Sequence, residues 1–113
     1  MNTVLLHVAL MLVLAIISGC GVREVTVQRN PASESAVGKV VFLAGRDSHG
    51  SGAHEHKAGS ELLAAALRKR QPGYETVNVY GGWPDDESVF DKADAVVMYC
   101  DGGRGHLIND HLG

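Results

Sequence analysis

The chain has 113 residues, which bounds it to one small domain. Its 10 basic and 13 acidic residues give a net charge of −3. The two signs are mixed along the chain, which excludes the basic stripe that a nucleic-acid-binding surface requires.

Val4 to Ile17 is apolar apart from His7. A spanning helix needs about 20 apolar residues, so a run this short reads as the core of a signal peptide. Ile17-Ser18-Gly19-Cys20 has the form of a bacterial lipobox: aliphatic, small, small, cysteine. Residues 1–19 are accordingly expected to be a lipoprotein signal peptide. Cys20 would then be the acylated first residue of a mature protein anchored in the cell envelope, each buried methylene adding about 0.8 kcal/mol. The leader Met1-Asn2-Thr3 departs from the usual pattern in having no Lys or Arg, and a buried helix or an uncleaved anchor is the alternative. Gly21 after the cysteine, rather than Asp, favours outer-membrane sorting in a host with two membranes. With Cys20 acylated, Cys100 has no partner in the chain and reads as a thiol buried at a strand end.

Residues 20–38 read as a tether. Arg23 to Gln28 could pair as an edge strand, but Asn30-Pro-Ala-Ser-Glu-Ser35 has linker composition. Lys39-Val-Val-Phe-Leu-Ala44 is a continuous apolar run of the kind that parallel strands covered on both faces require. Ala58 to Arg70 reads as a helix with Leu62, Leu63, Ala66 and Leu67 as its apolar stripe. Arg68, Lys69 and Arg70 oppose the dipole in its last turn, and Gln71-Pro72-Gly73 stops it. Tyr74 to Tyr80 alternates enough to suggest a strand near a sheet edge. Gly81-Gly82-Trp83-Pro84 is a turn, Asp85 to Ala93 a short helical segment with Val89 and Phe90 inward, and Ala95 to Cys100 a third strand. His106 to Leu112 would open a further helix.

The order β-α-β-α-β predicts an α/β domain over residues 39–113: a parallel sheet with flanking helices. Three core strands fall short of the usual five or so, as in a truncated domain. A fragment, or a homodimer that completes the sheet, would account for that shortfall.

Two glycine-rich loops follow the first and third of these strands: Gly45 to His56 and Asp101-Gly-Gly-Arg-Gly-His106. Loops leaving the carboxyl ends of neighbouring strands meet in one crevice of an open α/β sheet. Neither loop has Gly-x-x-x-x-Gly-Lys-Ser/Thr or Gly-x-Gly-x-x-Gly, so nucleotide binding has no specific support. His49, His54 and His106 are candidate proton shuttles, with Asp47, Glu55 and Asp101 as the carboxylates that orient them. His54, His56 and His106 are candidate ligands for a divalent metal such as zinc. Residues two apart on a helix point about 200° away from each other, so His54 and His56 can share an ion only if the first turn is extended or frayed. The bland alternative is that these side chains cap the helix and fix the loops. Trp83 or Tyr80 could offer a stacking face to a sugar, and Trp83 could equally be packing. Cys100 lacks the Gly-x-Cys-x-Gly setting of a nucleophile elbow.

Lys39-Val-Val-Phe-Leu-Ala-Gly-x-x-Ser48-His49-Gly50, then Gly52-x-His54-Glu55-His56-x-Ala58-Gly59, then Tyr99-Cys-Asp-Gly-Gly-x-Gly-His106, resembles the ThuA-like (trehalose utilisation) family. That family belongs to the class I glutamine amidotransferase-like superfamily. The match runs from about Lys39 to His106, and family domains continue past the second loop. The resemblance implies a flavodoxin-like fold and a role in carbohydrate metabolism, on disaccharides or keto sugars. It also implies that His49, His54, His56, Asp101 and His106 line the site, and that an amidotransferase cysteine triad is absent. The alternatives are a non-catalytic carbohydrate- or metal-binding lipoprotein, or an inactive fragment.

Overall fold

The computed structural model describes residues 24–33 and 35–113. The signal peptide expected at 1–19 and the acylated Cys20 lie outside them. Among the described residues no helix is long and apolar enough to cross a membrane.

Four strands form one sheet: β1 (Thr26–Asn30), β2 (Gly38–Ala44), β3 (Tyr74–Tyr80) and β4 (Ala95–Tyr99). One helix, α1 (His56–Arg70), joins β2 to β3. The strand order is β1-β3-β2-β4. β2 pairs in parallel with β3 and with β4, while β1 runs antiparallel along β3. The parallel part is the flavodoxin-like arrangement, in which the first core strand lies between the second and the third.

The apolar alternation of β2 explains why both faces must be covered. Val41 and Leu43 point one way and pack with Val77, Val79 and Val89. Val40 and Phe42 point the other way and pack with Ala64. α1 therefore covers one face, and the connection between β3 and β4, through a 3-10 turn at Glu87–Phe90, covers the other. From β2 the chain goes to β3 on one side and returns to β4 on the other. That reversal opens a crevice above β2 and β4.

Several expectations are corrected. β3 is not near an edge: it lies between β1 and β2, and Thr76 to Tyr80 is buried throughout. The edges are β4 and β1. β1 lies inside the stretch read as a tether, where an edge strand at Arg23 to Gln28 was the other expectation. Its pairing with β3 places residues before Lys39 in the sheet. The helix begins at His56 rather than Ala58, and its buried residues are His56, Ser60 and Ala64. Leu62 and Leu63, assigned to the apolar stripe, are 70% and 47% exposed. The reason is the sheet face beneath, which presents Thr76, Asn78 and Tyr80 and is matched by small or polar helix residues. At Gly59 a Cβ would overlap the Tyr99 ring, so a glycine lets β4 lie close under the helix. Finally, 106–112 holds no α-helix, only a 3-10 turn at Asn109–His111.

The polar layer under α1 is incompletely paired. Arg68 Nη1 donates to Thr76 Oγ1 at 2.7 Å. Ser60 Oγ and both amide atoms of Asn78 are buried without a hydrogen-bond partner among the described residues. An unpaired buried polar group costs about 1–3 kcal/mol. Asn78→Val removes two such atoms in a β conformation that suits valine. Chemical denaturation should therefore show the variant more stable by about 1–2 kcal/mol.

Candidate functional site

The two loops begin in contact. Gly45 N donates to Tyr99 O at 2.9 Å, continuing the β2–β4 ladder one step past the end of β2. A Cβ on Gly45 would lie 2.8 Å from Cys100 Cβ, so only glycine allows this approach. Beyond Gly45 the first loop is held by its own bonds. Ala53 N donates to Gly50 O at 3.0 Å, and Gly52 N to Glu55 Oε1 at 2.7 Å. His54 takes a left-handed backbone conformation, φ 55°, which is uncommon for a residue with a Cβ. Such backbone strain gathers at functional sites.

Asp101, from the second loop, is the centre of the arrangement. Its Oδ1 accepts from His54 Nδ1 at 2.7 Å and lies 3.5 Å from His56 Nε2. His56 is buried, and its Nδ1 donates to the Arg46 carbonyl at 2.9 Å. A carbonyl only accepts, so the neutral ring carries its proton on Nδ1. A direct bond from Nε2 to Asp101 therefore requires the imidazolium. Ser48 Oγ completes the group, 2.9 Å from His49 Nδ1 and 3.2 Å from His54 Nδ1. This is not a serine–histidine–aspartate relay. There the imidazole takes the serine proton on one nitrogen and holds the carboxylate with the other, whereas His54 offers the same Nδ1 to both partners.

The cluster borders a cavity of about 460 Å³. Ser48 and Asp101 line it from the cluster side, and Asp47, Arg46, Arg104 and His106 line it further out. Trp83 and His111 line it too. Their rings stack with centroids 3.9 Å apart, and Trp83 Nε1 donates to Glu87 Oε1 at 2.8 Å. The imidazole of residue 111 thus lies against the indole that the sequence offered as a sugar-stacking face.

The structure brings together His49, His54, His56 and Asp101. Asp47 and His106 share the cavity but not the cluster, and His106 Nδ1 accepts from Ile108 N at 3.2 Å. Glu55 orients no histidine: its carboxylate fixes the loop backbone at Gly52. Cys100 is a free, half-buried thiol at the end of β4, on the cavity wall. Among the described residues, the group able to hold a metal ion is His49, His54 and Asp101, with one ligand atom of each within 4.8 Å of the others. That set keeps His54 from the expected trio but replaces His56 and His106. His56 and His106 each have Nδ1 engaged, with the Arg46 carbonyl and the Ile108 amide, and neither belongs to that set. Ser48 and His111 were missed as site residues. The Ser48-His49 pair was visible as a sequence neighbour of the histidines, whereas nothing in the sequence marks His111.

Comparisons with family models, curated proteins and solved structures return no match for this chain.

The Asp101 carboxyl is held below its ordinary value of 3.8, first by the Ser48 hydroxyl and then by the His54 imidazole. A carboxyl with a depressed folded-state pKa adds stability that is present above the unfolded value and is lost as pH falls through the folded one. Acid titration of the melting temperature should therefore show a fall below about pH 4 that is smaller in Asp101→Asn. An unchanged acid limb in that variant would contradict the assigned bonds.

Proposed function

We propose that the crevice between the two loops acts on a sugar, and that the chain is a lipid-anchored, ThuA-like protein of the cell envelope. The observation that carries the chemistry is the 2.7 Å bond from His54 to Asp101, made between loops 47 residues apart, beside the cavity. Asp101 accepts the Nδ1 proton of neutral His54 and so leaves Nε2 with the lone pair. In that form an imidazole can take a proton from a substrate hydroxyl while the carboxylate stabilises the imidazolium that results. The same proton then returns to a leaving oxygen or a carbonyl, as hydrolysis or isomerisation of a sugar needs.

Sugar recognition requires donors and acceptors at close spacing, and Arg46, Arg104, Asp47 and His106 supply both around one cavity. The resemblance of the Ser48-His49-Gly50, His54-Glu55-His56 and Asp101-Gly-Gly-x-Gly-His106 segments to ThuA-like proteins supports disaccharides or keto sugars as the substrate class. The lipobox at 17–20 supports an envelope location.

The test uses the full chain with trehalose and keto-disaccharides as substrates, product formation being followed by chromatography. Turnover should drop by about 10²–10⁴-fold in His54→Asn and in Asp101→Asn, the range that general acid–base groups supply. Absence of turnover with the parent chain on every sugar of that class defeats the reading. Separately, a bacterial host fed radiolabelled palmitate should label the parent chain but not Cys20→Ala.

A further inference from the structure

The geometry points to a divalent-cation centre formed by His49, His54 and Asp101, of which Asp101 also lines the cavity. It goes beyond the sugar reading and stands without it, because cation binding is read on the protein alone.

Three observations carry it. First, one ligand atom from each of the three side chains lies within 4.8 Å of the other two. Four-coordinate zinc with bonds of about 2.0–2.1 Å needs its ligand atoms roughly 3.3–3.4 Å apart. His54 Nδ1 and Asp101 Oδ1 are already closer than that, at 2.7 Å. His49 and His54 are exposed loop side chains, so small rotations suffice to close the set. Second, two imidazoles and one carboxylate, with a free position on the solvent side, form the donor set of catalytic rather than structural zinc sites. Nitrogen and oxygen donors without thiolate suit zinc and neighbouring first-row cations. Ser48 Oγ lies within 3.2 Å of both imidazole Nδ1 atoms and adds a neutral oxygen at the same centre.

Third, the ligands have backing. Asp101 Oδ1 has His56 Nε2 at 3.5 Å, and His56 is itself anchored by the Arg46 carbonyl. Protonated on both nitrogens, His56 donates to that carboxylate, and an outer partner of this kind orients a ligating carboxylate. The backbone of His54 is fixed in the left-handed region immediately before α1, which sets where its ring leaves the chain.

The proton balance follows from the metal-free bonds. The cation takes the place of the proton between His54 Nδ1 and Asp101, and that proton leaves to solvent. Cation-loaded and cation-free sites thus differ in which groups remain for proton transfer, and in the loaded state His54 Nδ1 and Asp101 are held by the cation.

The experiment is calorimetric titration of the chelator-stripped full chain with zinc chloride, in two buffers of different ionisation enthalpy. Cobalt(II) absorption provides a second readout of the ligand field. The expected result is one cation per chain with release of a proton. Affinity should fall by at least about a hundredfold in each of His49→Ala, His54→Asn and Asp101→Asn, since even outer partners cost about 10–100-fold. His106→Ala should bind as the parent does. Asparagine tolerates the left-handed backbone at 54 and preserves the shape of residue 101, and far-UV circular dichroism confirms that each variant is folded. Binding below one equivalent overturns the assignment, as does retention of affinity within tenfold in any of the three folded variants. A chain that binds zinc but turns over no sugar leaves this centre standing and removes only the substrate reading.

Discussion

The parallel pairing of β2 with β4 is the constraint on which the rest depends. It carries one step past the end of β2, in the bond from Gly45 N to the Tyr99 carbonyl that ends β4, and so delivers the two loops to one point. Neither loop could make the site alone. The first brings three histidines and a serine, and the second brings the carboxylate that faces His54 and His56. The chain reverses its direction across the sheet at β2, and this leaves the space above the strand ends uncovered by helix. A site at this place needs no special invention, only polar residues at the two loop starts and a glycine that lets them touch.

The bonds of the cluster act on position more than on stability. The His54 and Asp101 side chains are 46% and 30% exposed, and exposed ion pairs contribute at most about 1 kcal/mol. The stability of the domain comes instead from the two apolar layers on either side of β2. What the cluster gains is geometry, because His56, almost wholly buried, ties the Arg46 backbone to the first turn of α1 and faces Asp101. Replacing a surface pair would leave the sheet intact while loosening the loops. A site can therefore be disabled here without unfolding its support.

Some of this was legible in the sequence, and the limits have physical causes. The strands at 39–44 and 95–100 announced themselves as apolar runs, and that at 74–80 as an alternating one, between turn residues. The helix end at Arg70 was marked by its basic last turn and the Pro72-Gly73 stop. β1 was left as one of two readings because Thr26-Val-Gln-Arg-Asn30 is an exposed edge strand, with little apolar alternation to separate it from a linker. The buried face of α1 was misread for a related reason. Leucines normally mark the inward stripe, and Leu67 does pack on Val40 and Phe42, but the rest of the floor is Thr76, Asn78 and Tyr80, over which His56, Ser60 and Ala64 are the buried residues. In the site, residue types pointed to the correct loops but not to the correct partners. Which histidine reaches Asp101 depends on one backbone angle at position 54, and Glu55 was spent on the loop amide at Gly52.

That backbone angle links helix to chemistry. If His54 continued the helix backward from His56, the two rings would point about 200° apart and could not face one carboxylate. The left-handed conformation at 54 breaks the helical phase just before α1 begins. The two ring centroids then lie 5.8 Å apart, with Asp101 Oδ1 within 3.5 Å of both imidazoles. The spacing that made His54-x-His56 look unfit for a shared centre is thus overcome at a single residue. Its unfavourable backbone is offset by the bonds that the ring makes, so strain and function sit at the same position.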